Sequence, residues 1–179
     1  MRLKPALIAF ALAASIAAVK AQGAPDDIAS RIINDPGAPQ VTGASAKLRD
    51  DPGVQGGRAL RIQVAGKGAN AWDVAVGSAI QKPVRTGDRL VLAFWARLAK
   101  GEGGLATATL PYNAVQLASA PYSPLFSGPA TIGPEWKLYE VRGKSDRDYA
   151  AGALNATLHL ATGKQTVDIG PVIVLDLGQ

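Results

Sequence analysis

The sequence of 179 residues contains no cysteine, one histidine and one methionine. Without cysteine the chain can form no disulfide, no thiolate zinc site, no iron–sulfur cluster and no cysteine-based catalytic centre. The single histidine also excludes a metal site built on several imidazoles. Charged residues make up 18% of the chain and hydrophobic residues 47%, a composition that can form a core and argues against intrinsic disorder.

Motifs typical of common enzymes are also missing. No Gly-x-Ser-x-Gly elbow occurs, and the glycine-rich stretch at residues 101–104 lacks the Lys-Ser/Thr pair and the helix of a phosphate-binding loop. Most acidic residues lie in predicted turns, whereas the carboxylates of a glycoside hydrolase project from its framework into a cleft. These absences favour a protein that is not an enzyme.

The first 21 residues have the form of a secretory signal peptide. Arg2 and Lys4 precede an apolar run over residues 6–19, which is shorter than the ~20 residues needed to span a bilayer. Cleavage after Ala21 removes three basic residues and no acidic one, which lowers the net charge from +5 to +2. We therefore expect a secreted or periplasmic protein with no membrane span after cleavage.

The basic residues that remain are scattered along the mature chain. Nucleic-acid binding requires a clustered stripe of lysine and arginine that neutralises several phosphates together. No such stripe is visible, so nucleic acid is not an expected partner.

Beyond residue 58, hydrophobic and polar residues alternate in short runs separated by Gly- and Pro-containing turn signals. This pattern predicts an all-β chain, an antiparallel β-sandwich over residues 46–179, preceded by a lead-in over residues 22–45 with a short strand near 31–33. Gly170-Pro171 within the last run predicts a bulge or an edge position. The predicted strands cover residues 60–64, 90–97, 136–141, 154–161 and 167–175.

Alternation singles out Trp95 among the aromatic residues. Phe94 shares a face with Leu90 and belongs to the core, so Trp95 and Arg97 lie on the opposite face. An indole there could stack on a sugar ring, or a loop could cover it so that it only packs. His159 lies on the polar face of its strand, where it either contacts a ligand or is an ordinary polar residue.

Calcium is the one metal that the composition leaves open, because it needs only carboxylates and carbonyl oxygens. Each of the available aspartates could equally be a turn or capping residue. The candidate ligands are Asp35, Asp50, Asp51 and Asp168.

Five segments, in this order, resemble the CenC-type carbohydrate-binding modules, the group of families 4, 9 and 22. The likeness covers about residues 46–177. It implies a galactose-binding-like jelly roll that is non-catalytic, binds xylan or β-glucan chains on a sheet face and often carries structural calcium. Such modules often accompany secreted glycoside hydrolases. Because no catalytic motif is recognised in this sequence, we expect a catalytic partner domain to be on another chain. The matching segments are Gly57–Ile62, Asn70–Val74, Gly87–Leu90 running into Ala93–Arg97, Glu135–Tyr139 and Gln165–Val172.

The resemblance and the remaining aromatic residues together give the candidate site. Asp168 matches the acidic position of the family's closing strand and, with Asp35, forms the candidate metal pair. The alternative is a structural or protein-interaction β-sandwich that has lost the sugar site. The candidate ligand-binding residues are Trp95, Arg97, Trp72, Asp73, Tyr112, Tyr122 and His159.

Overall fold

Alternating hydrophobic side chains fold residues 31–179 into two packed antiparallel sheets. The computed structural model describes residues 25–179, with side chains from residue 28, and the predicted signal peptide lies outside the described residues. Pro25–Ser30 form a short helix, α1. Within the described part of the chain, no helix has the length and apolar character required to cross a membrane.

Ten strands make up the sandwich, five in each sheet. Sheet I has the order β1-β4-β9-β6-β7, and sheet II has the order β2-β3-β10-β5-β8. The predicted all-β antiparallel sandwich is confirmed. The strands are β1 (Gln40–Thr42), β2 (Ser45–Asp50), β3 (Arg58–Val64), β4 (Ala75–Ala79), β5 (Arg89–Lys100), β6 (Ala108–Leu117), β7 (Pro124–Ile132), β8 (Lys137–Lys144), β9 (Leu154–His159) and β10 (Gln165–Asp176).

The core lies between the inner faces of the two sheets. Sheet I contributes Val76 and Leu158, and sheet II contributes Ile62 and Phe94, all at most 1% exposed. Burial of such side chains is the main force that stabilises the fold, at roughly 1.5–3 kcal/mol for each large apolar group. Since alternate residues of a strand point to opposite faces, these core positions determine which side chains point outward.

Of the two alternatives predicted for Gly170-Pro171, the structure has the bulge and not the edge position, because β10 lies between β3 and β5 in sheet II. The register between β10 and β5 shifts between Ile169 and Val172. Proline has no N–H for a ladder hydrogen bond, so the strand accommodates it where the pairing is interrupted. A Cβ at Gly170 would lie 3.0 Å from the Cβ of Trp95, so the glycine also lets that indole approach the strand.

Part of the predicted lead-in belongs to the sandwich, because the chain pairs with both sheets from Ile32 onward. Ile32 forms an isolated bridge with Leu175 in β10, and Asn34 forms one with Ile80 just after β4. The buried Asn34 amide donates to Ser78 Oγ at 2.8 Å in sheet I. It also accepts from the Val174 N–H at 2.8 Å in sheet II. This one side chain therefore ties the two sheets together.

Candidate functional site

Three aromatic side chains meet at one end of the outer face of sheet I. The ring of Tyr112 in β6 stacks on His159 in β9, with centroids 4.5 Å apart and an interplanar angle of 24°. The ring of Trp72 contacts His159 edge-on, with centroids 6.1 Å apart and an interplanar angle of 66°. We call Trp72, His159 and Tyr112 the aromatic row. His159 is 7% exposed, whereas Trp72 is 60% exposed and offers its indole to solvent.

Trp72 projects from a 3-10 turn, Ala71–Asp73, that is fastened to the end of β9. The Ala161 N–H donates to the Ala71 carbonyl at 3.0 Å. Asp73 closes the turn as a capping residue, because its Oδ2 accepts from the Asn70 N–H at 2.9 Å. Asp73 therefore positions Trp72 through the backbone, and this role accounts for its carboxylate.

The rest of this outer face is recessed and uncharged. Small residues of β4 and β6 lie beside the polar residues of β9: Gly77 and Ala114 both pair with Thr157. Ala114 and Thr157 are at most 4% exposed. These positions form a shallow surface bounded at one end by the aromatic row. The outward positions of β1, β4, β6 and β9, none of which carries a charge, are Gln40, Thr42, Ala75, Gly77, Ala79, Tyr112, Ala114, Gln116, Asn155, Thr157 and His159.

The two titratable groups of the aromatic row are held neutral by their surroundings. Burial lowers the pKa of His159 below its usual value of 6.5, so the imidazole carries no charge at pH 7. Burial also raises the pKa of the Tyr112 phenol. The phenol donates to Gln116 Oε1 at 3.0 Å, which orients that amide along the same face. The surface thus offers apolar rings and neutral hydrogen-bonding groups.

Trp95 and Arg97 lie on the other side of the molecule, on the outer face of sheet II. The half-buried Trp95 indole donates to Gln55 Oε1 at 3.1 Å. The Arg97 guanidinium lies 4.8 Å from the ring centre of Trp136. Because stacked sheets are about 10 Å apart with a core between them, one ligand cannot contact Trp95 and Trp72 together. The structure corrects the expectation of a single site.

Asp168 is fully buried within a cluster of arginines. Its Oδ1 accepts from Arg61 Nε at 2.8 Å, and its Oδ2 accepts from Arg97 Nε at 2.9 Å and Arg61 Nη2 at 2.9 Å. Burial would raise the pKa of Asp168, but these hydrogen bonds and charges together lower it. A second carboxylate, Asp51, accepts from Arg97 Nη2 at 2.8 Å, and Arg49 lies within 4 Å of both.

Each carboxylate of the candidate metal pair is engaged by other groups of the chain. Both oxygens of Asp168 already serve arginines, and a cation would have to displace them. Asp35 is exposed, and its Oδ1 accepts from the Gly37 N–H at 3.0 Å, as in an Asx turn. Among residues 28–179 there is no group of three or more His, Asp or Glu side chains that could hold a metal ion.

Tyr122 lies at the far end of the face from the aromatic row. It is 55% exposed in the turn between β6 and β7. Tyr112 is near the middle of β6 and Leu117 is its last residue, five positions on, which at the rise of a strand is about 17 Å. Trp72, Tyr112 and His159 therefore form one group, from which Tyr122 is separate.

Sequence reasoning did not single out Asn155, Thr157 and Gln116 as site residues. The signal was present for β9, because alternation with Leu154 and Leu158 places Asn155 and Thr157 on the same face as His159. No pattern in the sequence indicated that β6 would lie next to β9.

No protein-family model and no curated protein sequence matches the chain. The similarity appears in three dimensions, with solved carbohydrate-binding domains. A family 4 carbohydrate-binding module superposes with a TM-score of 0.59 and 14% identity, over 77% of this chain and 94% of that one.

Two further domains share the arrangement. The N-terminal cellulose-binding domain of Cellulomonas fimi β-1,4-glucanase C matches with a TM-score of 0.57 and 15% identity, over 82% of this chain and 93% of that domain. The CBM22-1 xylan-binding domain of Paenibacillus barcinonensis Xyn10C matches with a TM-score of 0.52 and 13% identity, over 79% of this chain and 86% of that domain. The chain therefore has the jelly-roll sandwich fold of carbohydrate-binding modules of families 4 and 22.

Proposed function

We propose that the protein is an exported, non-catalytic carbohydrate-binding protein that binds a poly- or oligosaccharide of the xylan or β-glucan type. The ligand lies on the outer face of sheet I. The observation that carries this proposal is the aromatic row, an exposed indole fixed beside two stacked rings at the end of an uncharged, recessed surface.

The chemistry of this surface suits a neutral sugar chain. The apolar C–H face of a pyranose ring can stack on the exposed indole of Trp72, as apolar groups pack on aromatic rings. Asn155, Thr157 and Gln116 supply donors and acceptors for hydroxyl groups. Since no charged group has to be desolvated, binding a neutral ligand costs little at this face.

The fold supports the same proposal by analogy, because domains with the same architecture include cellulose-binding and xylan-binding domains. The alternative is a sandwich that serves only structural or protein interactions. It is favoured by the outer face of sheet II, where the polar groups of Trp95 and Arg97 already form hydrogen bonds with other side chains of the same chain. The exposure of Trp72 on the other sheet favours sugar binding.

Affinity gel electrophoresis of the protein through xylan, β-glucan and hydroxyethyl cellulose tests the proposal. A ring stacked on Trp72 removes roughly 70 Å² of exposed indole from water, and at ~25 cal/mol/Å² this contributes about 1.8 kcal/mol. Trp72→Ala should therefore weaken binding about 20-fold. The matched control is Leu105→Ala, another large side chain that is 65% exposed, which should migrate like the wild type.

Two results would contradict the proposal. One is unchanged mobility of the wild type in all three polysaccharides. The other is equal retardation of the wild type and the Trp72→Ala variant, which would remove the aromatic row from the site.

A further inference from the structure

A cleft of about 560 Å³ lies at one end of sheet II. This volume falls within the range of small-molecule sites. The cleft forms where β3 and β5 end and where β2 and β10 begin, and none of its lining residues belongs to the aromatic row. The side chains that matter below are Ser45, Gln63, Lys100, Glu102, Lys164 and Thr166.

Two turns that contact each other form the wall of this cleft. Gln165 is buried, and its Nε2 donates to the Leu160 carbonyl at 2.9 Å and to Thr162 Oγ1 at 3.1 Å, which fixes the turn that carries Lys164. A Cβ at Gly163 would lie 2.7 Å from Glu102 Oε2. This glycine therefore lets the Glu102 carboxylate lie against the turn.

Positive charge predominates in the cleft. Lys100 and Lys164 are exposed at its rim, and Glu102 is its one carboxylate. Lys100 and Gln63 both pair with Thr166, which lies two residues, about 7 Å, from Asp168 and the arginine cluster.

That neighbouring cluster adds to the positive potential. Three guanidinium groups surround only two carboxylates there, so it keeps a net positive charge. Charges of one sign along a cleft raise the local concentration of oppositely charged ligands.

We propose that this cleft binds the carboxylate of an acidic sugar, that is, a uronate residue of a glycan. Lys100 and Lys164 pair with the carboxylate, while Ser45, Gln63 and Thr166 hydrogen-bond the ring hydroxyls. Glu102 accepts from a further hydroxyl and disfavours a multiply charged group such as a phosphate. The choice of a sugar as the carrier of the carboxylate rests on the proposed function, but the cleft itself is separate from the aromatic row.

Titration calorimetry with trigalacturonate at low ionic strength tests the assignment. The wild type should bind it, and the double variant Lys100→Gln/Lys164→Gln should bind about tenfold more weakly, since two exposed ion pairs are lost. Salt at 0.5 M should weaken the wild-type interaction strongly, because it screens these pairs. Methyl-esterified trigalacturonate, which is uncharged, should not bind.

The matched control is Lys144→Gln, which removes one exposed positive charge from β8, outside the cleft lining, and should leave trigalacturonate binding unchanged. Trp72→Ala should also bind trigalacturonate like the wild type, while the lysine double variant should keep wild-type retention in gels that contain β-glucan, which carries no uronate. A failure of sugar binding on sheet I is thus distinguished from a failure of the uronate site. Circular dichroism of each variant checks that it is folded.

Several outcomes would overturn the assignment. One is that the wild type fails to bind trigalacturonate at low salt, and another is that it binds the methyl ester as tightly as the free acid. The third such outcome is that Lys144→Gln weakens binding as much as the lysine double variant does. Equal binding of a sulfated oligosaccharide through the same two lysines would show a general anion site and would also overturn the uronate assignment.

Discussion

Asp168→Asn should destabilise the protein by about 3 kcal/mol at pH 7. Breaking a buried ion pair costs about 3–5 kcal/mol, because the partner charges lose their compensation. Here Arg97 is 23% exposed and Arg61 is 37% exposed, so solvent partly stabilises the released guanidinium groups. The expected value therefore lies at the lower end of that range. Asparagine keeps the shape of the side chain, so the change reports the lost charge rather than a cavity.

The effect should depend on pH in a defined direction. The pKa of Asp168 is lower in the folded chain than its usual value near 4. The stabilisation is therefore fully present above about pH 4 and is lost as the pH falls through the folded pKa. The difference between wild type and variant should shrink in acid, where both side chains are uncharged.

Urea unfolding at several pH values between 7 and 3 measures this difference. The control is Asp50→Asn, whose carboxylate is 94% exposed and 3.8 Å from Arg58, and which should unfold at the wild-type midpoint. A loss of less than about 1 kcal/mol for Asp168→Asn at pH 7 would refute the reasoning. So would a loss that stays constant down to pH 3.

Three further substitutions test other parts of the fold. Asn34→Ala should cost about 3 kcal/mol in urea unfolding, because the Val174 N–H and Val172 carbonyl of sheet II and the Ser78 hydroxyl of sheet I lose their hydrogen bonds; a loss below ~1 kcal/mol would count against the cross-link. Gly143→Ala should cost about 2 kcal/mol, since the new methyl would overlap the Phe126 ring, whereas Gly66→Ala, with open space around it, should be neutral. His159 has a lowered pKa, so its contribution to stability is present above pH 6.5 and is lost at lower pH. Thermal midpoints of wild type should therefore fall more between pH 7 and 5 than those of His159→Phe, and parallel profiles would contradict this.

Much of the fold could be predicted from local patterns. Alternation placed Phe94 in the core and Trp95 on the outer side of the same strand, and both placements hold. The bulge at Gly170-Pro171 followed from the missing N–H of proline. Five strands, β1, β2, β4, β6 and β7, were not predicted. Two of them, β1 and β2, are short and largely exposed, so they have little hydrophobic alternation.

The candidate site could be predicted only in part. Trp72, Tyr112 and His159 were all named from the sequence, yet nothing in it distinguished them from Trp95 and Arg97, which face the other way. The hydrogen bond from Trp95 to Gln55, and the ion pairs of Arg97 with Asp51 and Asp168, depend on residues distant in sequence.

The sequence by itself determined five of the ten strands, their buried sides and the antiparallel sandwich, because the two-residue period of a strand is a local property of the chain. Only the tertiary structure decided which strands became neighbours, since strand pairing depends on burying all the apolar faces together. That pairing brought β6 beside β9 and the Trp72 turn to the end of β9. It thereby assembled one exposed aromatic group on sheet I and left the expected leading residue, Trp95, on sheet II.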